Sequence, residues 1–171
     1  MMWVLARFHA ACAALPLALI QLLARIAMAA TFWRSGQTKV QGFALDLVEG
    51  RIELGWPRFS DSAIDLFRDE YRLPLLSPEA AALMATIAEH VFPLLLLVGL
   101  ATRASALALL VMTAVIQIFV YPGAWPLHGS WAVALLVLVR FGAGAVSLDA
   151  LLCRFSRKTS AAATGCGPET A

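Results

Sequence analysis

The chain has 171 residues, 61% of them hydrophobic and 14% charged, where an average soluble domain has roughly 45–50% and 25%. A mean hydropathy of +0.79 is more apolar surface than a core of this length hides, which excludes an ordinary soluble globule and makes a helical membrane protein the working class. A net charge of +2 without a dense basic run leaves no footprint for nucleic acid, and Cys12, Cys153 and Cys166 form neither a CxxC pair nor a zinc spacing.

Residues 13–33 hold one charge, Arg25, and as a helix they span about 31 Å, enough for a hydrocarbon core. A cleavable leader is the rival reading, with Arg7 ahead of the apolar run and Ala27-Met28-Ala29 as a small-residue cleavage site; Arg25 interrupts the run and weakens it. Residues 34–79 carry 14 of the 24 charges, six basic and eight acidic, and form a polar loop between the first two spans. Within it, Ile64, Phe67 and Tyr71 recur at helical spacing behind Ser62 and Asp65, predicting a short amphipathic helix over 62–72. Gly42, Gly50, Gly55 and Pro57 punctuate the rest.

Ser77-Pro78-Glu79 supplies a cap, a first-turn proline and a first-turn acid, so a second span runs over about 80–101. Thr102 and Arg103 separate it from an uncharged third span, 104–121, which ends at Tyr121-Pro122-Gly123. A fourth span covers about 128–150. Gly142-Ala143-Gly144 is a possible break in it, ahead of Ser147-Leu148-Asp149 as the cap of a further turn. Residues 156–171 read as a flexible tail. The expected fold is therefore all-α: an integral membrane four-helix bundle in one domain, residues 1–155, with a polar outer loop. Arg7, Arg103, Arg154, Arg157 and Lys158 fall on one side and place both termini in the cytoplasm. Trp33, Tyr121, Trp125 and Trp131 then gather near the outer interface.

A charge inside a span costs roughly 2.5–3.5 kcal/mol on insertion scales and is normally turned inward and paired. Counted from the span ends, Arg25 lies about 18 Å from the inner end and Glu89 about 13 Å from the outer end, so the two match in depth and suggest an intramembrane ion pair. Such a pair either fixes helix register or handles protons, a quinone or another polar ligand. His90 reads as a packed, hydrogen-bonded residue. Pro93 frees the carbonyl of Glu89. Arg140 is central if the fourth helix runs on to 150 and interfacial if it breaks, while Gln117 and His128 sit near the outer end as local hydrogen-bonding residues. No nucleophile elbow, Walker loop, dinucleotide fingerprint or HExxH is present.

Several of these residues, in this order and spacing, resemble the DoxX family of small bacterial inner-membrane proteins over about residues 20–152. They are Arg25, Trp33-Arg34-Ser35-Gly36, Lys39, Tyr71-Arg72-Leu73-Pro74-Leu75-Leu76, Glu89, Gly99-Leu100-Ala101-Thr102-Arg103, Tyr121-Pro122, Trp125-Pro126, His128 and Ser147-Leu148-Asp149. Ala143 departs from the pattern, in which many relatives have proline between the two glycines. The resemblance implies a multi-pass four-helix bundle of the inner membrane. It also implies an association with thiosulfate:quinone oxidoreduction or with membrane complexes that detoxify radicals, while other members are encoded beside genes for metal-binding peptides. On that reading Arg25 and Glu89, with Arg140 and Gln117, form a polar site for a quinone head group. Arg34, Gly36, Lys39 and His128 are then motif residues on the outer face, with Arg34 and Lys39 placed for an anion. No residue here stores electrons, so any enzymatic role is that of a subunit in a quinone-linked oxidoreductase whose cofactor comes from the quinone or a partner. No other cofactor and no metal is encoded. The expected partners are lipid, a second copy of the chain, or another membrane or periplasmic protein. A small transporter and a scaffold that docks a periplasmic partner through the polar loop are the alternatives.

Overall fold

The computed structural model describes residues 2–46 and 50–163, with side chains to 156. Its helices α1 (Met2–Ala13) and α2 (Leu17–Gln37) lead into a hairpin of β1 (Val40–Asp46) and β2 (Arg51–Phe59). Helix α3 (Asp61–Asp65) follows and widens into a π-turn, Leu66–Tyr71. Next come α4 (Pro78–Val98) and α5 (Thr102–Val115), the latter ending in a second π-turn, Ile116–Val120. A 3-10 turn, Pro122–Ala124, then α6 (Trp125–Phe141) and α7 (Leu148–Ala163) complete the chain.

Among the described residues, four segments are long and apolar enough to cross a membrane: Leu17–Gln37, Pro78–Val98, Thr102–Val120 and Pro122–Phe141. The chain is thus a multi-pass helical membrane protein whose apolar outer surface meets lipid. Helix α2 packs on α4 and α6, and α5 packs on the same two, so the four close into a ring. Met28, Phe32, Leu96, Leu109, Leu135 and Leu138 form the shared core. The start of α4 follows its sequence signal: Ser77 Oγ accepts from Ala80 N at 3.3 Å with Pro78 in the first turn.

Four expectations need correction. The polar loop holds more than a short helix, because Val40–Asp46 and Arg51–Phe59 pair as antiparallel strands. The alternation that would have announced them is broken by a register shift between Gln41 and Phe43, where Gly42 adopts φ +78°. A Cβ on Gly55 would lie 2.3 Å from the Gly42 carbonyl oxygen, so both glycines serve the bulge. The short helix begins at Asp61 behind Ser60, one residue before the expected cap, and Asp65 pairs with Arg68. The fourth span stops at Phe141 and does not run to 150. Gly142 and Gly144, at φ +79° and +83°, turn the backbone where residues with a Cβ are strained. Finally, α7 carries helix through the first part of the expected tail, to Ala163; Cys166 and the rest of that tail lie outside the described residues. Helix α7 is capped by Ser147, whose Oγ accepts from Ala150 N at 3.2 Å, as Ser147-Leu148-Asp149 suggested. Asp149 does a second task, accepting from Ala101 N (2.9 Å) and Thr102 N (3.0 Å), which have no intrahelical partner at the start of α5.

Candidate functional site

The two deep charges do not pair with each other. Arg25 is buried and spends its guanidinium on four carbonyls: Nε on Leu96 (2.7 Å), Nη2 on Leu97 (2.6 Å), and Nη1 on Ala143 (3.1 Å) and Val146 (2.6 Å). Those oxygens belong to the last turn of α4 and the turn before α7. The cation thus sits where helix α4 presents its negative end and its unbonded carbonyls. Gln21 secures the same turn, donating to the carbonyls of Phe141 (2.9 Å) and Gly142 (3.1 Å). Gly99 lets the turn approach: a Cβ there would lie 2.5 Å from Ser147 Cβ and 2.8 Å from the Arg25 guanidinium carbon.

Glu89 lies at the other end of α2. Its Oε1 accepts from Ser35 Oγ (2.9 Å), and Lys39 Nζ stands 2.6 Å from Oε2. The side chains of Lys39 and Glu89 are 4% and 5% exposed, so this is a buried ion pair. Nζ also donates to the Ser35 carbonyl (3.1 Å) and Oγ (3.2 Å). Ser35 is ten residues beyond Arg25 on α2, an axial separation of about 15 Å, which is why a pairing judged from depths alone fails. Those depths assumed helices starting flush, whereas Gly36 lets α4 press against the last turn of α2. A Cβ on Gly36 would meet His90 Cε1 at 2.8 Å and Glu89 Cβ at 3.1 Å.

The hairpin fastens over this cluster. Trp33 Nε1 donates to the Leu45 carbonyl (2.9 Å), Arg34 pairs with Asp46 (3.3 Å), and Ser60 N donates to the Lys39 carbonyl (3.0 Å). His90 is the packed residue expected. Its Nδ1 lies 2.7 Å from the Thr86 carbonyl and its Nε2 3.0 Å from Gln37 Nε2, while Gln37 Oε1 accepts from Leu45 N. A carbonyl at Nδ1 and an amide donor at Nε2 fit the Nδ1–H tautomer.

Beside the cluster a cavity of about 420 Å³ opens between α2, α4, α5 and α6. Alanines make the room: Ala81, Ala85 and Ala88 on one face of α4, and Ala108 on α5. Phe32, Phe67, Met112 and Trp131 give it apolar walls, and Met84, Val111 and Leu127, all more than half exposed, stand at its rim. Three fully buried polar side chains line it: Lys39, Glu89 and His128. The π-turns bring Tyr71 and Tyr121 to its mouth, their rings edge-on at 5.9 Å, and Tyr121 donates its hydroxyl to Glu70. Burial pushes the Tyr71 phenol above its ordinary range, and the bond to Glu70, followed by burial, pushes Tyr121 up as well.

Of the residues singled out in the sequence, Lys39, Glu89 and His128 therefore meet at one cavity, with Gln117 behind His128 and Gly36 behind Glu89. Arg25 serves the opposite end of the bundle. Arg140 is exposed in the last turn of α6, with its guanidinium 5.4 Å from the Phe141 ring, next to the break that ends the helix at Phe141. Arg34 is half-exposed and already paired with Asp46. Sequence reasoning passed over Trp131 as a cavity wall and the alanine face of α4, whose signal was small residues repeating at helical spacing.

A sequence profile of the DoxX family matches residues 20–122, from the first span through the third and into the turn beyond it. The chain belongs to the DoxX family. That match includes Arg25, the Ser35–Lys39–Glu89 cluster and both tyrosines at the mouth, whereas His128 and the turn that receives Arg25 lie past its end. No curated protein and no solved structure is similar enough to add a closer relative.

Proposed function

We propose that this DoxX-family protein is an accessory subunit of a membrane redox or stress-response system, and that it takes a quinone-sized ring compound from the bilayer into the cavity. The observation that carries this is the cavity itself. At about 420 Å³ it falls within the size of small-molecule sites, its walls are apolar and aromatic, and a few buried polar groups converge on it. Exposed rim residues on α4, α5 and α6 favour entry from the lipid side, which suits a ligand that partitions into membrane. Electrons would reach a bound quinone from a partner, since the chain's own residues hold none. The basic residues at the chain ends favour an inner-membrane orientation with the hairpin outside and both termini in the cytoplasm.

Extraction in mild detergent followed by analysis of bound lipid tests the proposal. Quinone, in its oxidised or its hydroquinone form, should co-purify with the wild-type protein, and Glu89→Gln should change quinone reduction by membranes. A protein that carries no quinone, with reduction unchanged by the substitution, refutes the redox reading. A second reading, a docking scaffold, is favoured by one feature: strand β2 exposes Ile52, Leu54 and Trp56, each at least 60% exposed, on the hairpin. Crosslinking from Trp56 to a second protein in intact cells would support it.

A further inference from the structure

We infer that the cavity selects ligands bearing a hydroxyl, a phenol or hydroquinone in place of a carbonyl-only ring, and that His128 Nε2 is the group that reads the hydroxyl. This rests on the proposal that the cavity holds a lipophilic ring compound, and it adds which oxidation and protonation state of that ring fits.

The argument starts at Gln117. Its Nε2 donates to the Pro122 carbonyl at 2.6 Å, an atom that can only accept, so the amide orientation is fixed with Oε1 on the other side. That Oε1 lies 2.8 Å from His128 Nδ1. An amide oxygen facing a ring nitrogen requires the proton on that nitrogen, so Nδ1 is the donor and, in the neutral imidazole, Nε2 carries the lone pair. His128 is 3% exposed, it lines the cavity, and its Nε2 has no hydrogen-bond partner among the described residues. An acceptor held in a largely apolar cavity favours a ligand that brings a donor and disfavours one that does not.

The other two buried polar groups strengthen the bias. The ammonium of Lys39 already faces three oxygens, the carbonyl and hydroxyl of Ser35 and Oε2 of Glu89, and the Ser35 hydroxyl is committed to Glu89. Two of the three ammonium N–H groups and the Ser35 hydroxyl are thus in hydrogen bonds within the cluster, and the third N–H is held toward Glu89 by the ion pair. Spare capacity remains on the carboxylate oxygens, which accept. A quinone carbonyl entering here meets acceptors at both polar walls, whereas a phenolic hydroxyl finds a partner. Trp131, whose ring centroid lies 5.1 Å from that of His128, supplies an aromatic surface beside the reading nitrogen.

The test is calorimetric titration of the full-length protein in lipid nanodiscs, with empty nanodiscs as the blank. The probes are para-nonylphenol and its methyl ether, which share ring and tail and differ only in the donor. Wild-type protein should bind the phenol about tenfold more tightly than the ether, as expected for one hydrogen bond to a desolvated acceptor. His128→Phe should bring the two affinities to within about twofold while the ether's own affinity holds. Gln117→Leu, which releases the Nδ1 proton from its fixed partner, should narrow the preference and leave ether binding intact. Equal affinity for phenol and ether in the wild-type protein, or an undiminished preference in His128→Phe, overturns the inference and leaves the cavity proposal standing. Failure of both probes to bind the wild-type protein overturns the cavity proposal and this inference with it. Thermal melting of each variant identifies misfolding, and if His128→Phe does not fold, the Gln117→Leu result decides.

Discussion

Replacing Lys39 with methionine strands the Glu89 carboxylate between α2 and α4 with Ser35 Oγ as its remaining hydrogen-bond donor. At 2.6 Å and an effective dielectric of about 20, the attraction being removed is about 6 kcal/mol. Burying each of the two ions costs several kcal/mol on its own, so the intact pair is close to neutral in net stability while a broken pair is not. The expected loss for Lys39→Met is therefore about 3–5 kcal/mol. For a chain of this length that is a fall in Tm of roughly 6–20 °C. The double variant Lys39→Met/Glu89→Leu removes both charges together and should recover to within about 1–2 kcal/mol of wild type.

Thermal unfolding in mild detergent, run on wild type, both single variants and the double, gives the coupling directly. A Lys39→Met melt within about 2 °C of wild type, or a double variant as unstable as the sum of the singles, refutes the reasoning. The same four proteins separate structure from function. If the stable double variant still binds para-nonylphenol as wild type does, the pair only fixes the helices, and His128 is left as the polar group the ligand needs.

Arg25 should behave differently, because its four partners are backbone carbonyls that no second substitution can remove. Arg25→Leu and Arg25→Lys are each expected to cost about 3 kcal/mol or more, read as the same melting shift, and no compensating apolar change should restore them. Of Gly99, Gly36 and Gly50, Gly99→Ala should be the most damaging, since its φ of +70° and a Cβ 2.5 Å from Ser147 Cβ act together. Gly36→Ala should follow at about 1–3 kcal/mol from overpacking against a hydrogen-bonded His90. Gly50→Ala, at φ +68° in open space, should cost only about 1–2 kcal/mol. Melting temperatures in that order support the packing argument, and a harmless Gly36→Ala counts against it. The chain has two tyrosines, so an alkaline absorbance titration reads Tyr71 and Tyr121 alone. Both phenols are raised in the fold, so their contribution is complete below the unfolded value of about 10 and is lost as pH rises past it. Glu70→Ala, which removes the main cause at Tyr121, should bring one of the two transitions down toward about 10; two unmoved transitions would count against the Tyr121–Glu70 bond.

The spans and their starts were legible because lipid imposes a simple requirement, about twenty apolar residues bounded by caps. Ser77-Pro78-Glu79 and Ser147 both cap as their residue types suggest. The hairpin was not legible. Its bulge at Gly42 breaks the two-residue period, and β2 faces solvent or lipid along nearly its whole length, so no buried face imprints an alternation on it. The Arg25–Glu89 expectation failed for a related reason: depth within a span can be counted, but the axial offset between two helices depends on contacts such as Gly36 against His90, which no single segment records. Lys39 belongs to the same motif, which suggests an outer-face anion as its partner, yet it is buried against Glu89. Its burial depends on a hairpin folding over it.

The cavity is either a site or a packing fault, and Ala108→Leu discriminates between them. Ala108 stands on α5, among the cavity-lining residues and distinct from the Lys39–Glu89 pair, which joins the turn after α2 to α4. A leucine there extends into space that is already open, so the usual cost of overpacking does not apply, and burial of the added methylenes at about 0.8 kcal/mol each is an upper bound on the gain. Stability should hold or rise, and if the space is a site, para-nonylphenol binding should fall at least tenfold in the same protein. A leucine that destabilises by more than about 1 kcal/mol shows that the space is not there to be filled. Unchanged phenol binding in a stable Ala108→Leu protein shows that the ligand sits elsewhere. Loss of binding together with gain of stability is the pattern of a cavity kept open at the expense of packing, as functional sites commonly are.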